Sequence, residues 1–103
     1  MNRKSHKDRQ VCRQVFDALS YALSELDDPV IAALGLVSVD PAPDASRVLV
    51  TLAPSGAIDV EDAMARIREV APALREEVAA ELTRRRVPEL SFRIAPPGEL
   101  PLR

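Results

Sequence analysis

Apolar residues recur every three or four positions over two stretches of the chain, and this spacing is typical of helices that pack one face on a core. The first helix is predicted to start with a capping box, in which Ser5 is followed three residues later by Asp8, and to extend to about Leu26. Its apolar stripe consists of Cys12, Val15, Phe16, Leu19, Ala22, Leu23 and Leu26. The sequence Asp27-Asp28-Pro29 ends this helix, and a further short turn is predicted over Val30 to Leu34.

The second periodic stretch follows Asp59, which is predicted to cap it with Asp62 at the third position. Its apolar positions are Met64, Ile67, Val70 or Ala71, Leu74, Val78 and Leu82. Pro72 interrupts this pattern, and a proline inside a helix removes one backbone donor and clashes with the preceding turn. The sequence therefore predicts two helices that meet at a kink.

Three short segments have the composition of β-strands. Gly35 to Val39 and Arg47 to Leu52 are rich in branched residues, and Leu90, Phe92 and Ile94 alternate after Pro88. Turn residues separate the first two strands, so an antiparallel pair is predicted. The predicted fold is α+β with the order α-β-β-α-kink-α-β, in which the helices pack on one face of a three-stranded sheet.

Length and composition are those of one compact domain. The chain has 103 residues, of which 47% are apolar and 29% charged, and this excludes a disordered chain. One domain is predicted over residues 1–95, and the proline-rich residues 96–103 are predicted to form a disordered tail. A single cysteine fits a reducing compartment, and no segment resembles a signal peptide or approaches the ~20 apolar residues that span a bilayer. We therefore expect a cytoplasmic protein that has no contact with membranes.

Charge is distributed unevenly along the chain, although the net charge is only −2. Five basic residues near the N-terminus oppose only Asp8, and ten acidic residues between Asp17 and Glu69 outnumber three arginines. The last predicted helix then ends in three consecutive arginines. Basic clusters on either side of an acidic middle are typical of a protein with one phosphate-facing side. Arginines at a helix end can also simply complement the helix dipole.

The residues that usually carry catalysis are scarce. His6 is the only histidine, and Cys12 is the only cysteine and belongs to the buried stripe of the first helix. No metal-binding or phosphate-binding motif occurs, and the carboxylate pairs lie on predicted helix surfaces or helix ends. We expect neither an enzyme nor a protein that binds a metal, a cofactor or a small-molecule substrate.

Four features together resemble the bacterial ribosome-binding factor A family, from about Ser5 to Ile94. They are the Asp28-Pro29 pair after the first helix, the interrupted second helix, the arginine triplet and the segment Val87-Pro88-Glu89-Leu90-Ser91-Phe92. The resemblance implies a KH-like domain of type II. The family usually has an Ala-x-Gly triplet at the kink, where this chain has Val70, Ala71 and Pro72, and the G-x-x-G loop of ordinary KH domains is absent.

The resemblance implies a non-catalytic ribosome assembly factor that binds the free small (30S) subunit, assists maturation of 16S rRNA at its 5′ end and supports cold adaptation. We expect a monomer without cofactors. The alternative is a KH-like module for protein–protein interaction that uses the acidic middle of the chain as its contact surface. The predicted RNA-binding residues are Arg3, Lys4, Lys7, Arg9, Arg13, Arg75, Arg84, Arg85 and Arg86, together with the kink residues Val70, Ala71 and Pro72.

Overall fold

Two long helices and a short one pack on a three-stranded sheet in the computed structural model of the protein, which describes residues 6–44, 46–82 and 87–96. The sheet has the strand order β1-β2-β3, with β1 antiparallel to β2 and β2 parallel to β3. The predicted α+β class and the three-stranded sheet are confirmed. The elements are α1 (His6–Ser24), α2 (Pro29–Ala32), β1 (Leu34–Pro41), β2 (Arg47–Pro54), α3 (Val60–Glu81) and β3 (Glu89–Ile94).

The central strand β2 forms the floor of the core. Val48, Val50 and Leu52 alternate along it and are completely buried. Because alternate side chains of a strand point to one face, these three define the face that the helices cover. The apolar stripes of α1 and α3 pack on that face, as the sequence periodicity predicted. Their buried members are Val11, Cys12, Val15, Ala18, Leu19, Ala22, Ile67, Leu74 and Val78.

The first helix ends two residues before the predicted Leu26. Two N–H···O bonds of 3.2 Å, from Glu25 to Ala22 and from Leu26 to Leu23, tighten the last turn. The predicted short turn is the one-turn helix α2, in which the Asp28 carboxylate accepts hydrogen bonds from the N–H groups of Val30 (2.9 Å) and Ile31 (3.3 Å). Ser5, the predicted cap of α1, lies outside the described residues.

The strands β1 and β2 form a hairpin, and both are longer than predicted. The Asp44 carboxylate orders the connection by accepting hydrogen bonds from the N–H (2.8 Å) and the hydroxyl (2.6 Å) of Ser46. These bonds lower the pKa of Asp44. The pairing register shifts between Leu36 and Ser38, which places an irregularity at Val37 in the edge strand β1.

The prediction of two helices around Pro72 was wrong, because α3 is a single helix from Val60 to Glu81 with Pro72 inside it. Asp59 caps this helix as predicted, by accepting hydrogen bonds from the N–H groups of Glu61 (2.9 Å) and Asp62 (3.2 Å). A proline within a helix costs roughly 3 kcal/mol. Full burial of one aliphatic side chain stabilises the folded state by about 1.5–3 kcal/mol. The buried residues before and after Pro72 therefore hold the helix together, and a bend of its axis stays a prediction.

A buried residue directly follows the C-terminal strand. Ala95 is completely buried, and its N–H donates a 2.7 Å hydrogen bond to the carbonyl of Leu52. Pro96 is exposed, and residues 97–103 lie outside the described part of the chain. The predicted domain boundary at residue 95 and the predicted disordered tail stay predictions.

Candidate nucleic-acid interface

An open groove of about 630 Å³ runs between α3 and the edge strand β3. Pro72 and Ala71 lie on its helical wall, and Leu90, Ser91 and Phe92 form the opposite wall. We call it the Pro72 groove. The parallel pairing of β3 with β2 brings this strand beside α3, so the groove depends on contacts between distant parts of the chain.

Two arginines line the Pro72 groove, and no carboxylate of the described residues does. Arg68 and Arg75 are both exposed, and they lie four residues before and three residues after Pro72, on the same side of the helix. Seven residues of helix separate their Cα atoms by about 10 Å along the axis. Nη2 of Arg75 donates a weak 3.4 Å hydrogen bond to the carbonyl of Val87, and among the described residues Arg68 has no ion pair. The groove therefore presents two positive charges over a mainly apolar floor.

The solved structures that the chain resembles share this arrangement of helices and strands. The crystal structure of ribosome-binding factor A from Thermus thermophilus superposes with a TM-score of 0.74 at 23% identity, over 84% of this chain and 93% of that one. The solution structure of a Thermotoga maritima protein described as a candidate ribosome binding factor A gives 0.75 at 18% identity, over 100% and 99% of the two chains. The chain has the fold of ribosome-binding factor A. No protein-family model and no curated protein sequence matches it.

Within the ribosome-binding factor A fold, the predicted kink residues of this chain occupy two different environments. Ala71 and Pro72 line the Pro72 groove, whereas Val70 is half-buried and packs against the core. A proline has no N–H group to donate to an anion, so Pro72 contributes only an apolar surface. The charged contacts that the described residues offer in the groove are those of the two arginines.

The predicted RNA-binding residues include Arg75 but not Arg68, which lines the same groove. Both lie within about one turn of Pro72 on the same helical face. The spacing of the three residues was the available signal, but Arg68 lies in the acidic middle of the chain, which was not predicted to bind RNA. The predicted Arg84, Arg85 and Arg86 lie outside the described residues.

A second groove, of about 770 Å³, separates α1 from the other edge strand, β1. His6, Arg9 and Arg13 line it from the helix, and Val37 lines it from the strand. We call it the α1–β1 groove. It contains two of the predicted RNA-binding residues, whereas Lys7 is exposed on α1 outside it. Arg3 and Lys4 lie outside the described residues. Of the predicted residues that the structure describes, Arg9 and Arg13 lie at one edge of the sheet and Arg75 at the other.

A cluster of compensated charges lies on another side of α3. Nε of Arg66 donates a 3.0 Å hydrogen bond to Oδ2 of Asp28, and Nη1 donates a 3.2 Å bond to Glu69. Burial alone would raise the pKa of Asp28, whose side chain is only 11% exposed. Hydrogen bonds from Arg66 and from the N–H groups of Ile31 and Val30, with the charge of Arg66, outweigh that effect and lower the pKa. Arg66 therefore joins α3 to α2 and is not available to a ligand.

The remaining candidates for chemistry have structural or solvent-facing positions. Cys12 is buried in the core, as predicted, and His6 is exposed on the first turn of α1. No group of three or more histidine, cysteine or acidic side chains in the described residues could hold a metal ion. No described helix has the length and apolar character needed to cross a membrane.

Proposed function

We propose that the protein is a ribosome assembly factor of the ribosome-binding factor A family. It binds the free small (30S) ribosomal subunit and assists late maturation of 16S rRNA at the 5′ end. It acts as a monomer in the cytoplasm, without catalysis, and supports growth in the cold. The observation that carries this proposal is the Pro72 groove, which two arginines and no described carboxylate line, in a fold that spans nearly all of a ribosome-binding factor A.

The arrangement of charges suits phosphate. Arg68 and Arg75 stand about 10 Å apart along α3, so they contact two different phosphates rather than one. Arginine donates up to five hydrogen bonds and is always charged, which fits phosphate and 2′-hydroxyl oxygens of folded RNA. A factor that binds one RNA conformation more tightly than another shifts the RNA toward it and leaves when the subunit matures. No bond has to be made or broken.

The basic segments outside the described residues extend this surface in the proposal. Arg84, Arg85 and Arg86 immediately precede Val87, whose carbonyl contacts Arg75. The sequence thus connects the triplet directly to one end of the Pro72 groove. Arg3 and Lys4 precede α1 in the sequence, and exposed charges of this kind mainly accelerate encounter with a polyanion.

The acidic outer side of α3 supports the second candidate function, a protein-interaction module. Glu77 and Glu81 are exposed, lie one turn apart on the side of α3 away from Pro72, and make no ion pair with other described residues. Such a surface would bind a basic protein. The two functions differ in the side of α3 that they use, so substitutions on each side separate them.

Sedimentation with purified free small subunits tests the proposal. We expect the protein to bind at low salt and to bind more weakly as the salt concentration rises. In a plot of the logarithm of the binding constant against the logarithm of the salt concentration, each phosphate contacted should contribute a slope of roughly −0.7 to −0.9. The double variant Arg68→Gln with Arg75→Gln should bind less tightly and reduce that slope by the contribution of about two phosphates.

Two variants serve as controls in the same experiment. Arg47→Gln removes another exposed arginine, one that pairs with Glu89 at the start of β3 and does not line the Pro72 groove, and should bind like the parent. Glu77→Gln with Glu81→Gln neutralises the acidic side and should leave binding unchanged or slightly stronger. The RNA proposal is refuted if the acidic-side variant loses binding while the Arg68 and Arg75 variant retains it.

A further inference from the structure

The α1–β1 groove has the features of a second binding site. His6, Arg9 and Arg13 follow one another at spacings of three and four residues, so they lie on one side of α1. All three are exposed, and the groove beside them is larger than the Pro72 groove. Val37, an exposed apolar residue at the irregular position of β1, faces the same space. The groove combines positive charge with an apolar wall.

The two arginines in this groove are not neutralised by the described residues around them. Arg9 and Arg13 are like charges at i and i+4, an arrangement that disfavours a helix by about 0.2–0.5 kcal/mol. Asp17 follows Arg13 by one turn, but the two side chains do not form an ion pair. An anion that contacts both guanidinium groups would relieve their repulsion.

Asp40, on β1, also lines the groove. Asp40 is adjacent to Val39, which packs against the core on the face that the helices cover. Neighbouring side chains of a strand point to opposite faces, so the Asp40 carboxylate belongs to the other face of the sheet. The charged side chains on the helical wall are therefore His6, Arg9, Arg13 and Asp17, and they favour an anionic ligand.

The two grooves lie on opposite edges of the sheet. The α1–β1 groove borders β1 and the Pro72 groove borders β3, with β2 between them. Two strand spacings separate the edge strands by about 10 Å, and the grooves open beyond them. One phosphate therefore cannot contact both sites.

We propose that the α1–β1 groove is a second RNA-binding site, and that the domain bridges two RNA segments from opposite edges of its sheet. The inference rests on the proposed RNA-binding function and adds that RNA contacts the domain at two separate places. Two linked sites bind more tightly than either alone, since the second contact forms within an existing complex. Bridging also makes binding depend on the distance between the two segments, which changes as a subunit folds.

Site-specific cross-linking to free small subunits tests the bridge. A photoreactive group is attached to Gln10→Cys in the α1–β1 groove, to Ser91→Cys in the Pro72 groove, or to Ala73→Cys on the exposed surface of α3 as a control. The buried Cys12 is replaced by Ala in all three. We expect Gln10→Cys and Ser91→Cys to cross-link to RNA segments that are separate in sequence, and Ala73→Cys to react weakly.

The outcomes distinguish this inference from the proposed function. RNA cross-links from Ser91→Cys without any from Gln10→Cys would overturn the bridge and leave the proposed function standing. Cross-links from both positions to one continuous segment would also overturn the bridge. The absence of RNA cross-links from both positions would contradict the proposed function itself.

Binding measurements give a second readout. Arg9→Gln with Arg13→Gln should weaken binding to the subunit by at least about tenfold, as should Arg68→Gln with Arg75→Gln, whereas Arg47→Gln should not. On a dinucleotide, which is too short to occupy both grooves, each double variant should bind one equivalent where the parent binds two. A parent stoichiometry of one, with binding insensitive to Arg9 and Arg13, would refute the second site.

Discussion

Arg66 and Arg68 lie two residues apart on α3, yet they belong to different regions of the molecule. Arg66 points into the junction with α2, where Asp28 and Glu69 neutralise it. Arg68 lines the Pro72 groove, to which the described residues contribute no carboxylate. A two-residue step along a helix rotates the side chain by about 200°, so neighbours in sequence face opposite sides. The comparison teaches that an arginine's role here depends on whether its charge is already compensated.

The strongest test of this comparison is a pair of matched substitutions. Arg68→Gln should weaken binding to small subunits by about tenfold to a hundredfold, since a hydrogen bond to a charged group contributes about 1.5–3 kcal/mol. Its Tm should match that of the parent. Arg66→Gln should lower Tm and leave the affinity unchanged, because the groove on the other side of α3 is intact. Affinity and thermal unfolding are measured for both, and equal effects of the two variants on affinity would remove the distinction.

Pro72 offers a test that sharpens the description of the groove. Pro72→Ala restores a backbone donor to the carbonyl of Arg68 and removes a helix breaker, so we expect the free energy of unfolding to rise by about 1–3 kcal/mol. It should also straighten α3, if the proline bends the helix axis. Pro72→Gly restores the family's usual residue at the kink and should keep the fold and keep or improve RNA association. Denaturant unfolding and binding are measured on both variants, and an unchanged stability in Pro72→Ala would mean that α3 is not strained at this position.

Acid should weaken the junction at Asp28 but not the groove. The pKa of Asp28 is lowered in the folded protein, and the ordinary value of an aspartate is about 3.9. The ionised carboxylate therefore contributes stability above that ordinary value, and the contribution is lost as the pH falls through the lowered pKa. The Tm deficit of Asp28→Asn should be largest near neutral pH and shrink below about pH 4. Asp17→Asn, which removes an exposed aspartate that has no ion pair with another described residue, is the control and should show no such deficit.

The sequence predicted the secondary-structure elements that are determined by residues close together in the chain. Apolar periodicity identified α1 and the buried face of α3, and Asp59 identified the start of α3. The resemblance to ribosome-binding factor A predicted the fold that the solved structures share. These successes rest on spacing and capping, which a single stretch of chain determines by itself.

The sequence did not predict features that depend on distant contacts. The continuity of α3 through Pro72 results from burial of Ile67 and Leu74 on the sheet, which local helix propensity does not include. The role of Arg68 depends on the approach of β3, and the role of Arg66 on its contact with Asp28, 38 residues away. The charge pattern of the sequence includes both arginines but does not show which side chains each of them contacts.

The two pairings of β2 differ in the chain length that they must close. Residues 42–46 alone connect β1 to β2 in the hairpin. The connection between the parallel strands β2 and β3 consists of residues 55–88, which include the whole of α3. Loop closure and non-local pairing slow folding, so β3 is expected to join the sheet after the hairpin has formed. The Pro72 groove has no second wall until that strand arrives. A growing or partly folded chain therefore lacks this groove, and we expect binding to the small subunit to require the completed domain.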